Sequence, residues 1–350
     1  MPDPILYSKA SIAAFVASAM IVLAFRLVVR RPVHSVAAVT CVLAVSVGLV
    51  TGYGALQFSW AWPPSSSLDR FLTIVLPATL ILELLTGVSG GGETVAWLLS
   101  GRKFILPKAR HVLSAGRFSR VLCIVLRFVL YASAGRILLH GSVYLDGVSS
   151  GNTDAWTFAQ RAVIFGGSFC GLISVWSLLW RLAENSASAS IALSLAMAVL
   201  STGLATMMAG YIRGGAASLP LAAAIAGTSL AAPLLLRGCC GPDKRYLQET
   251  IGIGVIGLFS LLSIGHYFGQ LTGLRAIVLF LTPLLCWISE LPGLRSKSPW
   301  QRSAIQLMAV AISLASVLYF AKQNFDQKMG SLLAASTSPD TRLHLSAGSN

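Results

Sequence analysis

Two oppositely charged side chains lie inside long apolar stretches of this 350-residue chain, and they are the residues best placed to do chemistry. Glu83 lies in the apolar stretch 70–88 and Arg127 in the stretch 119–140. A charge within a lipid bilayer costs at least about 2.5–3.5 kcal/mol on insertion scales, so pairing is expected. At helical rise, the two lie about 8 Å and 10 Å from the same membrane face. We therefore predict an intramembrane polar pair, Glu83 with Arg127.

Two interpretations of this pair stay open. In the functional one, Glu83 is a carboxylate that takes up a proton or a substrate, held by Arg127 and set beyond a kink at Pro77. In the structural one, the two residues form a buried pair that stabilises the bundle, or each reaches the membrane surface independently.

No other residue pattern indicates catalysis. The chain has no HExxH, Walker A or CxxC motif. We therefore predict no catalytic residue, no metal ligand and no cofactor. Gly252-Ile253-Gly254-Val255-Ile256-Gly257 matches the dinucleotide fingerprint, but it lies in an apolar stretch with no strand before it. It predicts close helix packing instead, as do the small-residue pairs Gly48/Gly52 and Gly167/Gly171.

Composition indicates which elements must position these residues. The chain is 55% hydrophobic and 11% charged, and its mean hydropathy is +0.75. Soluble domains carry about 25% charged residues, so the bilayer must be the solvent here. Ten stretches approach the roughly 20 residues that a membrane-crossing helix needs. We predict an all-α bundle with spans near 10–29, 35–56, 70–88, 119–140, 159–181, 188–210, 216–236, 250–267, 274–290 and 303–321.

The positions of lysine and arginine predict the orientation. They gather in every second gap between the apolar stretches, and such gaps face the cytoplasm. Both termini are therefore predicted to lie outside, as expected for a multi-pass protein of a bacterial-type plasma (inner) membrane. The formal charge of +14 does not indicate nucleic-acid binding, because the basic residues lie at membrane edges.

Residues 1–322 are predicted to form a single transmembrane domain, followed by a polar, disordered tail over 323–350. The basic inner loop 89–118 mixes apolar and cationic side chains, a pattern typical of segments that lie in the headgroup layer. Its predicted contacts with anionic lipid headgroups are Arg102, Lys103, Lys108 and Arg110.

Three classes of function are compatible with the sequence. A non-catalytic membrane subunit or scaffold, docking a protein partner in the membrane, needs the fewest special residues. A secondary transporter or permease for a small solute is the alternative, and ten spans permit an inverted five-plus-five repeat. A membrane-embedded lipid-modifying enzyme is the second alternative, although the inner loop has no recognisable catalytic set.

Overall fold

The computed structural model describes residues 4–29, 34–58, 62–89, 110–146, 156–185, 188–236, 247–295 and 297–337. Within these residues the secondary structure is helical throughout, and ten helices are long and apolar enough to cross a membrane. This confirms the all-α, polytopic prediction. The ten spans are α1 (Pro4–Val28), α2 (Ser35–Ala55), α3 (Ser67–Val88), α4 (Val121–Leu139), α5 (Phe158–Glu184), α6 (Ser188–Met208), α7 (Ile212–Pro233), α8 (Gln248–Tyr267), α9 (Gly273–Glu290) and α10 (Pro299–Gln327).

Several helices differ from their apolar spans. The helix containing α4 already begins at Arg110 and runs to Leu139, and the helix containing α5 ends at Asn185. α7 consists of a short helix, Ile212–Ala216, and a longer one, Ser218–Leu236. Two further short helices, Val143–Asp146 and Pro292–Arg295, lie between spans.

Four helices form the centre of the bundle, five surround it, and α3 is intermediate, with 44% of its apolar window buried. Between 67% and 78% of the apolar window is buried in α2, α6, α7 and α8, against 17% to 28% in α1, α4, α5, α9 and α10. The buried core includes Leu195 of α6, Ile225 of α7 and Val255 of α8. α8 packs against α3, α4, α5 and α6, so residues on its faces meet side chains from both halves of the chain.

Small residues allow the central backbones to approach closely. A Cβ on Gly48 of α2 would lie 2.8 Å from the Ala14 carbonyl oxygen of α1. A Cβ on Gly227 of α7 would lie 2.6 Å from the Phe15 carbonyl oxygen. In lipid, where no hydrophobic effect drives helices together, such close contact supplies the dispersion energy of association.

The glycine motif of α8 serves the same purpose. Gly252 faces the carboxylate of Glu83. A Cβ on Gly254 would lie 3.1 Å from Leu195, and a Cβ on Gly257 would lie 2.5 Å from Leu221. The three glycines thus face α3, α6 and α7, which confirms the prediction of close packing. The matching prediction for Gly167 and Gly171 is wrong. A Cβ on Gly167 would meet no atom within 4 Å, because α5 stands away from α8 and α9 there.

Two prolines inside spans, Pro77 and Pro283, coincide with a change of helix type. The backbone is π-helical over Phe71–Val75, directly before Pro77, and α-helical again from Leu76 to Ser89. Pro283 lies at the start of the 3-10 segment Thr282–Glu290, which follows the α-helix Gly273–Leu281. Proline removes an N–H donor and clashes with the preceding turn, so local repacking of the helix is expected.

The predicted tail needs a correction. The last helix continues from Pro299 to Thr337, so residues 323–337 are helical where we expected disorder. Its stretch 329–335, which reads Met-Gly-Ser-Leu-Leu-Ala-Ala, contains strong helix formers that extend a helix already nucleated in the membrane. Residues 338–350 lie outside the described part of the chain.

Helix packing does not reproduce the inverted repeat that ten spans would permit. In a five-plus-five repeat, α1 corresponds to α6 and α2 corresponds to α7. The close packing of α1 against α7 would then be matched by close packing of α6 against α2. Over the described residues, α2 and α6 make little contact.

Candidate functional site

The structure brings Glu83 and Arg127 together. Glu83 lies in the C-terminal part of α3 and is fully buried, and Arg127 of α4 is 4% exposed. Arg127 Nη2 donates a hydrogen bond to Glu83 Oε2, so the two side chains form a buried ion pair. The pair lies where α3, α4 and α8 meet.

Aromatic side chains cover the guanidinium. Arg127 Cζ lies 4.7 Å from the ring centroid of Trp176 and 5.5 Å from that of Trp180, both on α5. Cation–π attraction of this kind contributes about 2 kcal/mol or more when the cation is removed from water. Tyr131, one turn along α4, is buried and packs edge-on against Trp176. The positive charge of Arg127 is thus held on two sides, by a carboxylate and by indole rings.

A second buried carboxylate lies one helical turn from the point where Glu83 meets α8. Glu249, in the first turn of α8, is 7% exposed. It stands three residues before Gly252, whose missing side chain lets the Glu83 carboxylate approach α8. Glu83, Arg127 and Glu249 form what we call the acidic cluster. Two acids and one base therefore share one buried site.

Local helix geometry explains why Glu249 tolerates this position. α8 begins at Gln248, so Glu249 lies at the positive end of the helix dipole. A carboxylate there gains about 0.3–1 kcal/mol. Glu83 lies inside its helix, which continues to Ser89, so it has no such support from a helix N-terminus and pairs with Arg127 instead.

Several polar atoms of the acidic cluster lack a hydrogen-bond partner among the described residues. They are Glu83 Oε1, Glu249 Oε2, Arg127 Nε and, next to the cluster, Tyr131 Oη and Trp176 Nε1. Buried polar groups are nearly always satisfied, and each exception needs a physical explanation. Free acceptors on two carboxylates, beside free donors, are suited to binding a proton or a small polar ligand.

Charge balance defines the chemistry that the acidic cluster can do. With all three groups ionised the site carries one net negative charge, which is costly in a low-dielectric interior. Arginine does not deprotonate in proteins, so the balance is restored by one proton on one carboxylate. The two acids can then exchange roles as the partner of Arg127, which is the arrangement expected of a proton-binding site.

A separate polar network closes the bundle between α6, α9 and α10. Gln306 accepts a hydrogen bond from Ser190 at 2.7 Å and donates to Ser289 Oγ at 2.6 Å and the Cys286 carbonyl at 3.0 Å. All its members are neutral and mutually bonded, so we assign it a structural role.

The other predicted contacts fall outside the structural description. Arg102, Lys103 and Lys108 lie outside the described residues, and Arg110 begins a helix without a described side chain. Sequence reasoning missed Glu249 because the span was started at residue 250. An acid in a first helical turn, three residues before a packed glycine, is the signal that could have revealed it.

Comparison with models of known protein families gives no match. Comparisons with curated proteins and with solved structures give none either. The functional conclusion therefore depends on the acidic cluster alone.

Proposed function

We propose that the chain is a proton-coupled secondary carrier of the plasma membrane, with both termini outside and the acidic cluster as its proton-binding site. The observation that supports this function is the burial of two carboxylates with one guanidinium. Ionisable residues inside membrane proteins characteristically mark ion pathways and proton relays.

A purely structural role explains this site less well. Replacing a buried ion pair by apolar residues of similar volume is often neutral or stabilising, so stability alone gives little reason to keep one. It gives even less reason to add Glu249, a second buried acid for which the described part of the chain supplies no second ion-pair partner. A site that must take up and release a proton needs this imbalance.

The coupling step follows from the shared guanidinium. When Glu83 is ionised it binds Arg127, and the proton resides on Glu249. Moving the proton to Glu83 frees Arg127 to pair with Glu249 across the contact between α4 and α8. Because Glu83 packs against Gly252, this exchange changes the contact between α3 and α8 at the centre of the bundle.

Solute accumulation tests the carrier function directly. Purified protein would be reconstituted in liposomes with an imposed pH gradient and incubated with a small-molecule extract of the cells that make it. Mass spectrometry of the washed liposomes would identify retained solutes. We expect one or more solutes to accumulate with wild-type protein under the gradient, and not with Glu249→Gln. The matched control is Glu184→Gln, an exposed acid on α5, which should accumulate like wild type.

Either of two outcomes would contradict the carrier function. One is equal retention in protein-free liposomes and in wild-type proteoliposomes. The other is an accumulation that does not depend on the pH gradient or on Glu249.

The second candidate is the non-catalytic membrane subunit, and the exposed face of α4 is compatible with it. α4 buries Cys123, Arg127 and Tyr131 but exposes apolar side chains on its other faces, such as Val121 and Val129, both 59% exposed. A helix with one buried face leaves a broad apolar surface on which another membrane protein could pack. Copurification of a stoichiometric protein partner, lost on Val125→Trp in α4, would favour this class over the carrier.

A further inference from the structure

A side-opening cavity lies between α5, α8 and α9. Its volume is about 480 Å³, within the roughly 300–1,000 Å³ of ligand pockets. The lining is mostly apolar and includes Ile164, Phe259 and Phe280. Val163 and Ile277 belong to the lining and are 73% and 57% exposed, so the cavity opens towards the lipid-facing surface.

The cavity is separate from the acidic cluster. Its lining residues on α8 run from Phe259 to Tyr267, 10 to 18 residues beyond Glu249 in the first turn of the same helix. This corresponds to about 15 Å to 27 Å along the helix axis.

Polar side chains line one end of the cavity, and two arginines stand near that end without lining it. His266 contacts the Leu271 carbonyl oxygen through Nδ1 at 2.9 Å and lines the cavity beside Tyr267. Arg161 lies two residues before the lining residue Val163, and Arg275 lies directly before Ala276. Arg161 donates to the Trp156 and Leu145 carbonyl oxygens, and Arg275 donates to the Phe320 carbonyl oxygen. Both arginines stand near the N-terminal ends of α5 and α9, which is where a lipid headgroup would lie.

We propose that this cavity binds one acyl chain of an anionic membrane phospholipid. The apolar lining takes the chain through the side opening, because the cavity is continuous with the lipid-facing surface. The guanidinium groups of Arg161 and Arg275 attract the negative headgroup at the interface. Gly167 and Gly171 leave room for the chain, which explains why this small-residue pair does not bring helices together.

Photolabelling with a lipid probe tests the proposal. Full-length protein would be reconstituted in phosphatidylcholine liposomes with a trace of phosphatidylglycerol that carries a diazirine within one acyl chain. After irradiation, mass spectrometry would locate the labelled residues. We expect saturable labelling of the residues that line the cavity on α5, α8 and α9.

A pair of neighbouring glycines supplies the variant and its control. Gly167→Leu places a side chain in the cavity, whereas Gly166→Leu alters the adjacent residue, which does not line it. A Cβ added at either position would meet no atom within 4 Å. We expect Gly167→Leu to reduce labelling at least about tenfold, the effect of about 1.4 kcal/mol of lost binding. Gly166→Leu should label like wild type. If Gly167→Leu does not fold, Gly171→Leu provides the same test, because its Cβ would lie 3.9 Å from Phe280.

Two results would overturn the proposal. Equal labelling of the Gly167→Leu and Gly166→Leu proteins would show that the chain does not occupy the cavity. Labelling spread evenly over lipid-facing helices, including α4, would show ordinary bilayer contact. An otherwise identical phosphatidylcholine probe that labels equally well would refute the contribution of the two arginines.

Discussion

Removing one charge of the Glu83–Arg127 pair should destabilise the protein more than removing both. Glu83→Gln removes the carboxylate that binds Arg127 and leaves only Glu249 to compensate the guanidinium, and Arg127→Gln leaves a carboxylate without its base. Breaking a buried ion pair costs about 3–5 kcal/mol, because the remaining charge is uncompensated. Since Glu249 lies one helical turn from the point where Glu83 meets α8, we expect the lower end, about 3 kcal/mol for each single variant.

The double variant Glu83→Gln/Arg127→Gln should lose less than either single variant, because no buried charge of the pair remains. Independent effects would add up to about 6 kcal/mol, so the expected coupling energy is about 3 kcal/mol or more. Glu249→Gln alone should be neutral or stabilising at neutral pH, because it removes a buried acid without a base of its own.

Thermal unfolding in mild detergent, followed with a thiol-reactive dye, would measure these effects. Cys41, Cys123 and Cys286 are buried, so they react when the bundle opens. A loss of about 3 kcal/mol should lower the midpoint of this 350-residue chain by about 4 °C. Arg136→Gln, an exposed arginine on the same helix as Arg127, is the matched control and should change the midpoint little. Single variants as stable as this control, or a double variant that loses the sum of the two, would refute a buried and coupled pair.

Three further predictions concern the packing that holds the acidic cluster in place. Gly48→Ala should cost about 1–3 kcal/mol because the new methyl group meets a carbonyl oxygen of α1 at 2.8 Å, whereas Gly54→Ala on the same helix meets no atom within 4 Å and should not destabilise. Gln306→Leu should lower the free energy of unfolding by about 1–3 kcal/mol, because it removes a buried side chain that makes three hydrogen bonds. Gln327→Leu, at an exposed position of the same helix, should change it by no more than about 0.5 kcal/mol. Urea unfolding in micelles would compare the two variants. Asp69→Ala should cost about 1 kcal/mol because it removes the capping box at the start of α3, and a thermal midpoint like that of wild type would contradict this role.

Local composition was enough to predict the ten spans, because a helix in lipid must satisfy its backbone internally and present apolar side chains. The ends were less well predicted. α1 begins at Pro4 rather than near residue 10, since proline is well suited to the first helical turn and apolar residues follow it. The orientation of the bundle stays a prediction from the distribution of lysine and arginine.

Contacts between helices were the part that local sequence could not supply. The depth of Glu83 and Arg127 indicated that they could meet, and the structure brings them together. Glu249 joins them only because α8 packs against α3 and α4, which no local pattern reports. Trp180 lies over the Arg127 guanidinium for the same kind of reason, because α5 packs against α4. Small-residue spacing predicted contact for Gly48 and failed for Gly167, because spacing shows that close approach is possible without showing where a partner helix lies.

Infrared spectroscopy of the reconstituted protein at neutral pH tests the central claim, that the acidic cluster holds one proton. We expect a carbonyl stretch of a protonated, buried carboxyl group in wild-type protein. Glu249→Gln and Glu83→Gln should each abolish it, because the remaining carboxylate then pairs with Arg127 in its ionised form. Glu184→Gln, which changes an exposed acid, should leave it unchanged. A wild-type protein without this band, or a band that persists in both cluster variants, would contradict the account.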